Sequence, residues 1–405
     1  MTVPLYGRYL AAAVGLFLLV VDGGSVIGTL IVPRPAGGRL VVWVDRGVHW
    51  LFQVITVPIR DYRRRDRVLA AEAAGLLVAQ LLTWLAVGYL GFALLLWPFV
   101  PGGFTGDLDH LGLAVWFVGN SEQRGVMQRL IEYAAALSGV VIVTLQIAYL
   151  PTLYSAFNRR ETDVALLNAR AGVPSWGPEL LARTHYALGS GASTIDTLPD
   201  FYQQWERWAA DIAESHTTYL PLVRFRSPRP MSNWVTALLA VLDSAALYLS
   251  LCPDSAPEVP ARLCLRSGFS CFRDVARAMG INVPEEADPS AGISLTYEEF
   301  RQGVADMQKV DFPIERDPAE AWPHFVGWRV NYEEAAYAVA LAVDAVPALW
   351  SGPRRHPVKP IHPSRPQAGR QQAGGKPGEP GTPGGHGGPG KPGGRPRPKR
   401  PAAGG

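Results

Sequence analysis

The sequence predicts an all-α membrane protein: transmembrane helices with a short re-entrant segment, then an all-helical cytoplasmic domain and a disordered tail. Three observations lead there. Residues 70–100 and 130–154 run apolar, with Glu72 and Glu132 as their only charges, and about 20 apolar helical residues cross the hydrocarbon of a bilayer. Between 157 and 350 the apolar residues recur at helical spacing within polar sequence. From 351 on, Pro, Gly, Lys and Arg leave nothing to bury.

Composition sharpens this division. The 405 residues are 48% hydrophobic, and most of the long unbroken runs lie before residue 155. Several of the 12 tryptophans, namely Trp43, Trp50, Trp84, Trp97 and Trp116, fall in or beside those runs, as amphipathic rings do at membrane interfaces. The net charge of +3 is misleading as a single number: from Pro353 onward eleven Lys and Arg face one acid, Glu379, so the rest of the chain is acidic. Cys252, Cys264 and Cys271 are odd in number and lack a repeated metal spacing. They are expected to be buried free thiols, and no metal or cofactor is implied.

Taken in order, residues 1–67 form a first unit. Residues 9–32 read as a retained span: Arg8 stands alone before it and no Ala-x-Ala cleavage pattern follows. Asp22, beside Gly23 and Gly24, is its costly residue, because a carboxylate in hydrocarbon needs a partner, water or a proton. The plainer alternative is a local bond near Gly23 and Ser25. Residues 40–58 are apolar but contain Asp45, Arg46 and His49, which argues for an amphipathic helix on the membrane surface. The Arg-rich stretch 60–67 should then be cytoplasmic, as should Arg159 and Arg160. That orientation places the 101–129 connection and the N-terminus outside, and residues 157–405 inside a cell whose membrane the chain crosses several times.

Residues 68–156 form a hairpin of two spans, with an apolar piece at 111–119 too short to cross. Ser138, Gln146 and Tyr149 share a face of the second span, either toward a cavity or toward neighbouring helices. The layout of span, short pore-helix-like segment and span resembles the two-transmembrane potassium-channel unit. The passage 144–171, TLQIAYLPTLYSAFNRRETDVALLNARA, is similar to bacterial ion-channel-like membrane proteins. The resemblance implies a homo-oligomer, a tetramer around one pore, with the filter after the short helix. Here Asn120, Ser121, Glu122, Gln123 and Arg124 follow Gly119, so the Thr-Val-Gly-Tyr-Gly filter motif is missing. A conducting version would line its outer mouth with Asn120, Ser121, Glu122 and Arg124, and its cavity with Thr144 and Gln146.

In the 157–350 domain, helices are expected at 180–188, 200–219, 232–249, 261–281, 292–308 and 332–349. Asp243 and Ser244 at the middle of the third mark it as a buried central helix, not a span. Thr296 and Glu299 have capping-box spacing. Arg224, Arg226 and Arg229 make a basic loop that pairs either with lipid phosphates or with acidic helices of the same domain. The acidic clusters 285–288 and 315–320 read as solvated loops. His216 reads as a structural residue, and no motif for catalysis or nucleotide binding is present, so no enzyme is expected. In the tail, 351–405, Gly recurs every third residue from Gly375 to Gly393. That is too short a run for a collagen-like helix, and the reading is a flexible basic arm that touches anionic lipid or nucleic acid weakly, without specific nucleic-acid recognition.

Two functions follow from these features. The first is a membrane protein on a degenerate potassium-channel-like module that conducts ions. The alternative is a non-conducting, membrane-anchored scaffold or sensor that works through its helical domain.

Overall fold

The computed structural model describes residues 5–32, 39–99, 125–186, 194–288, 291–356 and 358–364. The segment 111–119, the residues Asn120, Ser121, Glu122 and Arg124, and the chain beyond Ser364 lie outside these. Every regular element among the described residues is helical.

Three long helices define the apolar part: α1 (Leu5–Leu30), α4 (Glu72–Leu96) and α5 (Val126–Ala171). Between the first two lie α2 (Arg39–Thr56) and the short α3 (Tyr62–Leu69). At about 1.5 Å per residue, the 26 residues of α1 and 25 of α4 exceed the ~30 Å of a hydrocarbon core. The helices alternate in direction. Gly15 packs against Gly91, while Val26 clusters with Trp84 and Ile142. Ala93 and Leu96 meet Ile131 and Ala135 at one end, and Leu77 meets Tyr149 and Leu153 at the other.

Polarity in this bundle is inverted relative to a water-soluble protein. Phe17, Val20, Leu82, Leu137 and Ile147 are exposed, whereas Asp22, Ser25, Gln80, Glu132 and Gln146 are buried. A surface so apolar suits lipid, and among the buried polar groups Ser25 serves as a contact between helices. Trp84 Nε1 donates to Ser25 Oγ at 3.1 Å. Closeness depends on two glycines: a Cβ on Gly15 would lie 2.5 Å from the carbonyl oxygen of Gly91.

The second span reads as ending around Pro151, with its helix continuing through Arg159 and Asp163. The helix does pass through Pro151 and runs on to Ala171, 46 residues in all, or about 70 Å. A proline inside a helix forfeits one backbone hydrogen bond. Here Leu153 and Ala156 are buried just beyond it, and Val164, Leu167 and Ala171 join the core of the following domain, which offsets that loss. α5 is thus one continuous rod from lipid into the helical domain.

That domain adds α6 (Gly177–Tyr186), α7 (Leu198–Thr218), α8 (Trp234–Leu251), α9 (Glu258–Ala278), α10 (Tyr297–Gln308), α11 (Pro318–Arg329) and α12 (Glu333–Ala342). α8 is long and apolar enough to span a membrane, the fourth such helix among the described residues, yet its neighbours cover it almost entirely. Asn233 caps it by accepting from Val235 N at 2.9 Å. Asp243, halfway along, accepts from buried Arg329 and from Tyr332 Oη at 2.7 Å. Arg329 also bonds Glu333 at 2.6 Å. Burial works against its charge, but Asp243 and its other partners hold its pKa well above the ordinary value. The three cysteines are buried free thiols.

Two helix expectations need correction. The cluster 315–320, read as a solvated loop, contains the start of α11: Asp317 accepts from Ala319 N at 2.8 Å and Pro318 occupies the first turn, where proline is favoured. The last helix, expected over 332–349, stops at Ala342. Asp344 adopts a φ of 45°, a left-handed conformation that a helix cannot continue. Residues 351–356 and 358–364, placed in the tail by composition, lie against the domain: Arg354 donates to the carbonyls of Ala345 and Val346 at 2.7 Å, and Ser364 N donates to Val173 O at 3.2 Å.

Candidate functional site

Where the hydrophobic helices meet the helical domain, four arginines are buried or nearly so. Each is placed by local structure. α3 begins at Asp61, whose side chain accepts from Arg64 N at 2.9 Å. One turn of helix then turns Arg65 and Asp66 inward and leaves Arg63, Arg64 and Arg67 exposed. Arg65 Nε donates to Asp344 Oδ2 at 2.5 Å, and both side chains are at most 5% exposed.

Arg160, on the extension of α5, is fully buried. It donates to the carbonyls of Leu222 at 2.8 Å and Phe225 at 2.7 Å, and lies 3.0 Å from His216 Nε2. Burial, then the neighbouring Arg160 charge, hold His216 well below its usual pKa of 6.5. His216 is therefore the neutral acceptor of this contact, a structural part of the turn.

Arg160 fixes the one-turn helix Pro221–Arg224 and the residues after it, and so aims the next two arginines. Arg224 grips both oxygens of Asp45 on α2, at 3.0 and 2.9 Å, and Glu72 of α4 at 2.9 Å. His49 Nδ1 stands 2.7 Å from that same Glu72 oxygen. Arg226 donates to Asp66 at 2.5 Å and to the carbonyls of Val343 at 2.5 Å and Asp344 at 3.2 Å. Those carbonyls end α12, and cationic donors satisfy such orphans. Burial opposes charge on Arg224, but Asp45 and Glu72 raise its pKa.

The basic loop thus pairs with acids, as one alternative held, but from the membrane side: Asp45, Glu72 and Asp66 belong to α2, α4 and α3. Apolar contacts complete the junction, with Leu222 against Leu77 and Leu153, and Tyr219 edge-on to Tyr149 at 5.6 Å between ring centres.

Beside Arg224 lies a cavity of about 450 Å³ between α1, α2, α4 and α5 on one side and 217–224 and 277–281 on the other. Its size is that of a small-molecule site. Among the described residues no group of three or more His, Cys, Asp and Glu is placed to hold a metal ion.

Of the residues singled out in the sequence, Asp22 is buried in α1, with Oδ1 unpaired among the described residues. Gln146 is buried on α5 and its Oε1 is likewise unpaired. Thr144, two residues away, is exposed on the other side of that helix, so the two do not meet. The junction pairs were not anticipated. Their signal was an acid within an apolar or basic stretch: Asp45, Glu72, and Asp66, which shares its basic stretch with Asp61.

Comparisons with protein-family models, curated proteins and solved structures find no match. The functional reading rests on the geometry of the junction itself.

Proposed function

We propose that this chain is a membrane-anchored, non-conducting scaffold or sensor whose helical domain is held rigidly at the bilayer surface. The observation that carries this reading is α5, which runs unbroken from the Val26–Trp84–Ile142 cluster into the core of the helical domain. A simple anchor needs only a flexible linker. Here a continuous helix and three buried arginine contacts, at Asp344, Asp66 and Asp45, tie the domain to the helices. Movement of the membrane helices is thereby converted into strain on the domain, since packed elements shift between discrete arrangements and do not deform freely.

In this reading the domain faces the cytoplasm, which is supported by exposed Arg60, Arg63, Arg64 and Arg67 on its side of the bundle, since such residues stay inside. A second reading keeps the potassium-channel-like module as an ion conductor, in a tetramer. The buried groups of Asp22 and Gln146 favour it, since intramembrane ionisable residues such as Asp22 mark ion pathways in many proteins and the Gln146 amide is a polar group at membrane depth.

Flux separates the two. The full chain, reconstituted in liposomes, is expected to pass potassium, sodium and chloride no faster than empty liposomes do. Flux above that background, altered by Gln146→Ala, would establish the conducting reading instead.

A further inference from the structure

The cavity beside Arg224 combines three properties. Part of its wall is apolar, with Val41 and Val42 of α2 and Leu76 of α4. Two cations line it without a carboxylate partner among the described residues, Arg46 and Arg277, both exposed. Its one carboxylate, Asp45, is already held by both nitrogens of the Arg224 fork. What remains is net positive charge over an apolar wall. Gln80, 4% exposed, also lines the cavity and has no hydrogen-bond partner among the described residues.

Position decides which anion suits it. α2 forms one wall and turns Trp43 and Trp50 outward, at 70% and 66% exposed, with Leu51, Val54 and Ile55 exposed alongside. Such a face lies in the headgroup layer. α1, the adjoining wall, exposes Ile27 to the lipid. The cavity therefore borders the bilayer at headgroup depth, and its apolar wall continues the lipid-facing surface.

We infer that this cavity holds one anionic glycerophospholipid from the surrounding leaflet. Its phosphate lies between Arg46 and Arg277, the Gln80 amide meets its ester region, and an acyl chain follows Val41, Val42 and Leu76. Bound there, the lipid touches α2 and α4 together with the end of α9, so it bridges membrane helices and helical domain. This deepens the scaffold or sensor reading and rests on it for its consequence: the lipid is what the junction would sense.

The test is native mass spectrometry of the full chain released from vesicles of phosphatidylglycerol and phosphatidylcholine in equal amounts. Two unpaired guanidinium groups beside an anionic headgroup correspond to a preference of about 30-fold. One phosphatidylglycerol per chain is expected to survive release, and Arg46→Gln with Arg277→Gln is expected to bring the two lipids to parity. Arg63→Gln with Arg64→Gln, exposed on α3, should leave the preference intact. Equal retention of both lipids by the wild type overturns the inference. So does loss of the preference in the α3 variant, which would mean general surface attraction. Displacement of the lipid by inorganic phosphate would show that a free anion is the ligand, and would overturn the lipid assignment. All four substituted arginines are exposed, so folding is checked simply by an unchanged elution profile. Lipid retention is read independently of ion flux, so failure here leaves the non-conducting reading standing.

Discussion

Replacing Asp344 with Asn tests the junction where it is tightest. Asp344 has a φ of 45°, a region in which Asp and Asn are both tolerated, so the backbone can stay in place and the charge alone is lost. The carboxylate faces Arg65 Nε at 2.5 Å and Nη2 at 3.3 Å. Once it is neutral, Arg65, 1% exposed, has no carboxylate and keeps the carbonyl of Ile59, at 3.4 Å, and the amide oxygen of the new side chain. Removing one partner of a buried pair costs about 3–5 kcal/mol, much of it from the charge left behind. The Asn oxygen can still accept one bond, so we expect about 3 kcal/mol, the low end of that range. The loss should appear as local opening of residues 343–350, which no helix protects. Hydrogen exchange of the full chain in lipid nanodiscs would read it, and about 3 kcal/mol corresponds to exchange roughly 150-fold faster. Adding Arg65→Gln to Asp344→Asn should cost little more, because the two residues interact directly. Exchange that changes less than threefold, or single effects that simply add, would refute a buried pair at this point.

Other consequences follow from the same geometry. Arg329→Met leaves Asp243 and Glu333 buried, at 1% and 4% exposed, with no cation between them, and should destabilise the helical domain by about 3–5 kcal/mol in chemical unfolding. His216 is neutral in the fold and its pKa lies well below 6.5, so the unfolded chain takes up the proton first as pH falls. Its contribution is complete above about 6.5 and is lost below it, by at most about 1.4 kcal/mol per pH unit. The melting temperature of the wild type should therefore fall more steeply between about pH 7 and 5 than that of His216→Gln. Gly15→Val puts a side chain where a Cβ already lies 2.5 Å from the Gly91 oxygen, whereas Gly23→Ala meets nothing within 4 Å. The first should loosen α1 and speed its proteolysis, and the second should leave it unchanged.

What could be read from the sequence was local. The Thr296–Glu299 capping box forms as its spacing implies, each partner bonding the other's backbone, because both lie within one turn. The buried character of α8 was legible from Asp243: a charge in mid-helix needs a partner, which a protein core supplies more readily than lipid does. α11 escaped because its opening, Asp317 and Pro318, sits among acids that also suit a loop. The end of α12 was hidden by an Ala- and Val-rich composition, although Pro347 disfavours helix at the residue before it. The candidate site lay beyond reach for a different reason. Arg65 pairs with Asp344 across 279 positions, and Arg224 with Asp45 across 179. No local spacing encodes such meetings. Thr144 and Gln146 illustrate the limit within one helix: both looked suited to a cavity, but two residues of helical rotation put them on different sides.

The central claim is that helices in the bilayer and the helical domain act as one coupled body. Asp45→Asn tests it most directly, since Asp45 lies on α2 and its charged partner, Arg224, belongs to the turn after α7. Hydrogen exchange of the full chain in nanodiscs should then rise along 217–226 and also along 339–346, where Arg226 of the same turn binds the end of α12. A change confined to α2, with both distant segments unaltered, would contradict the coupling.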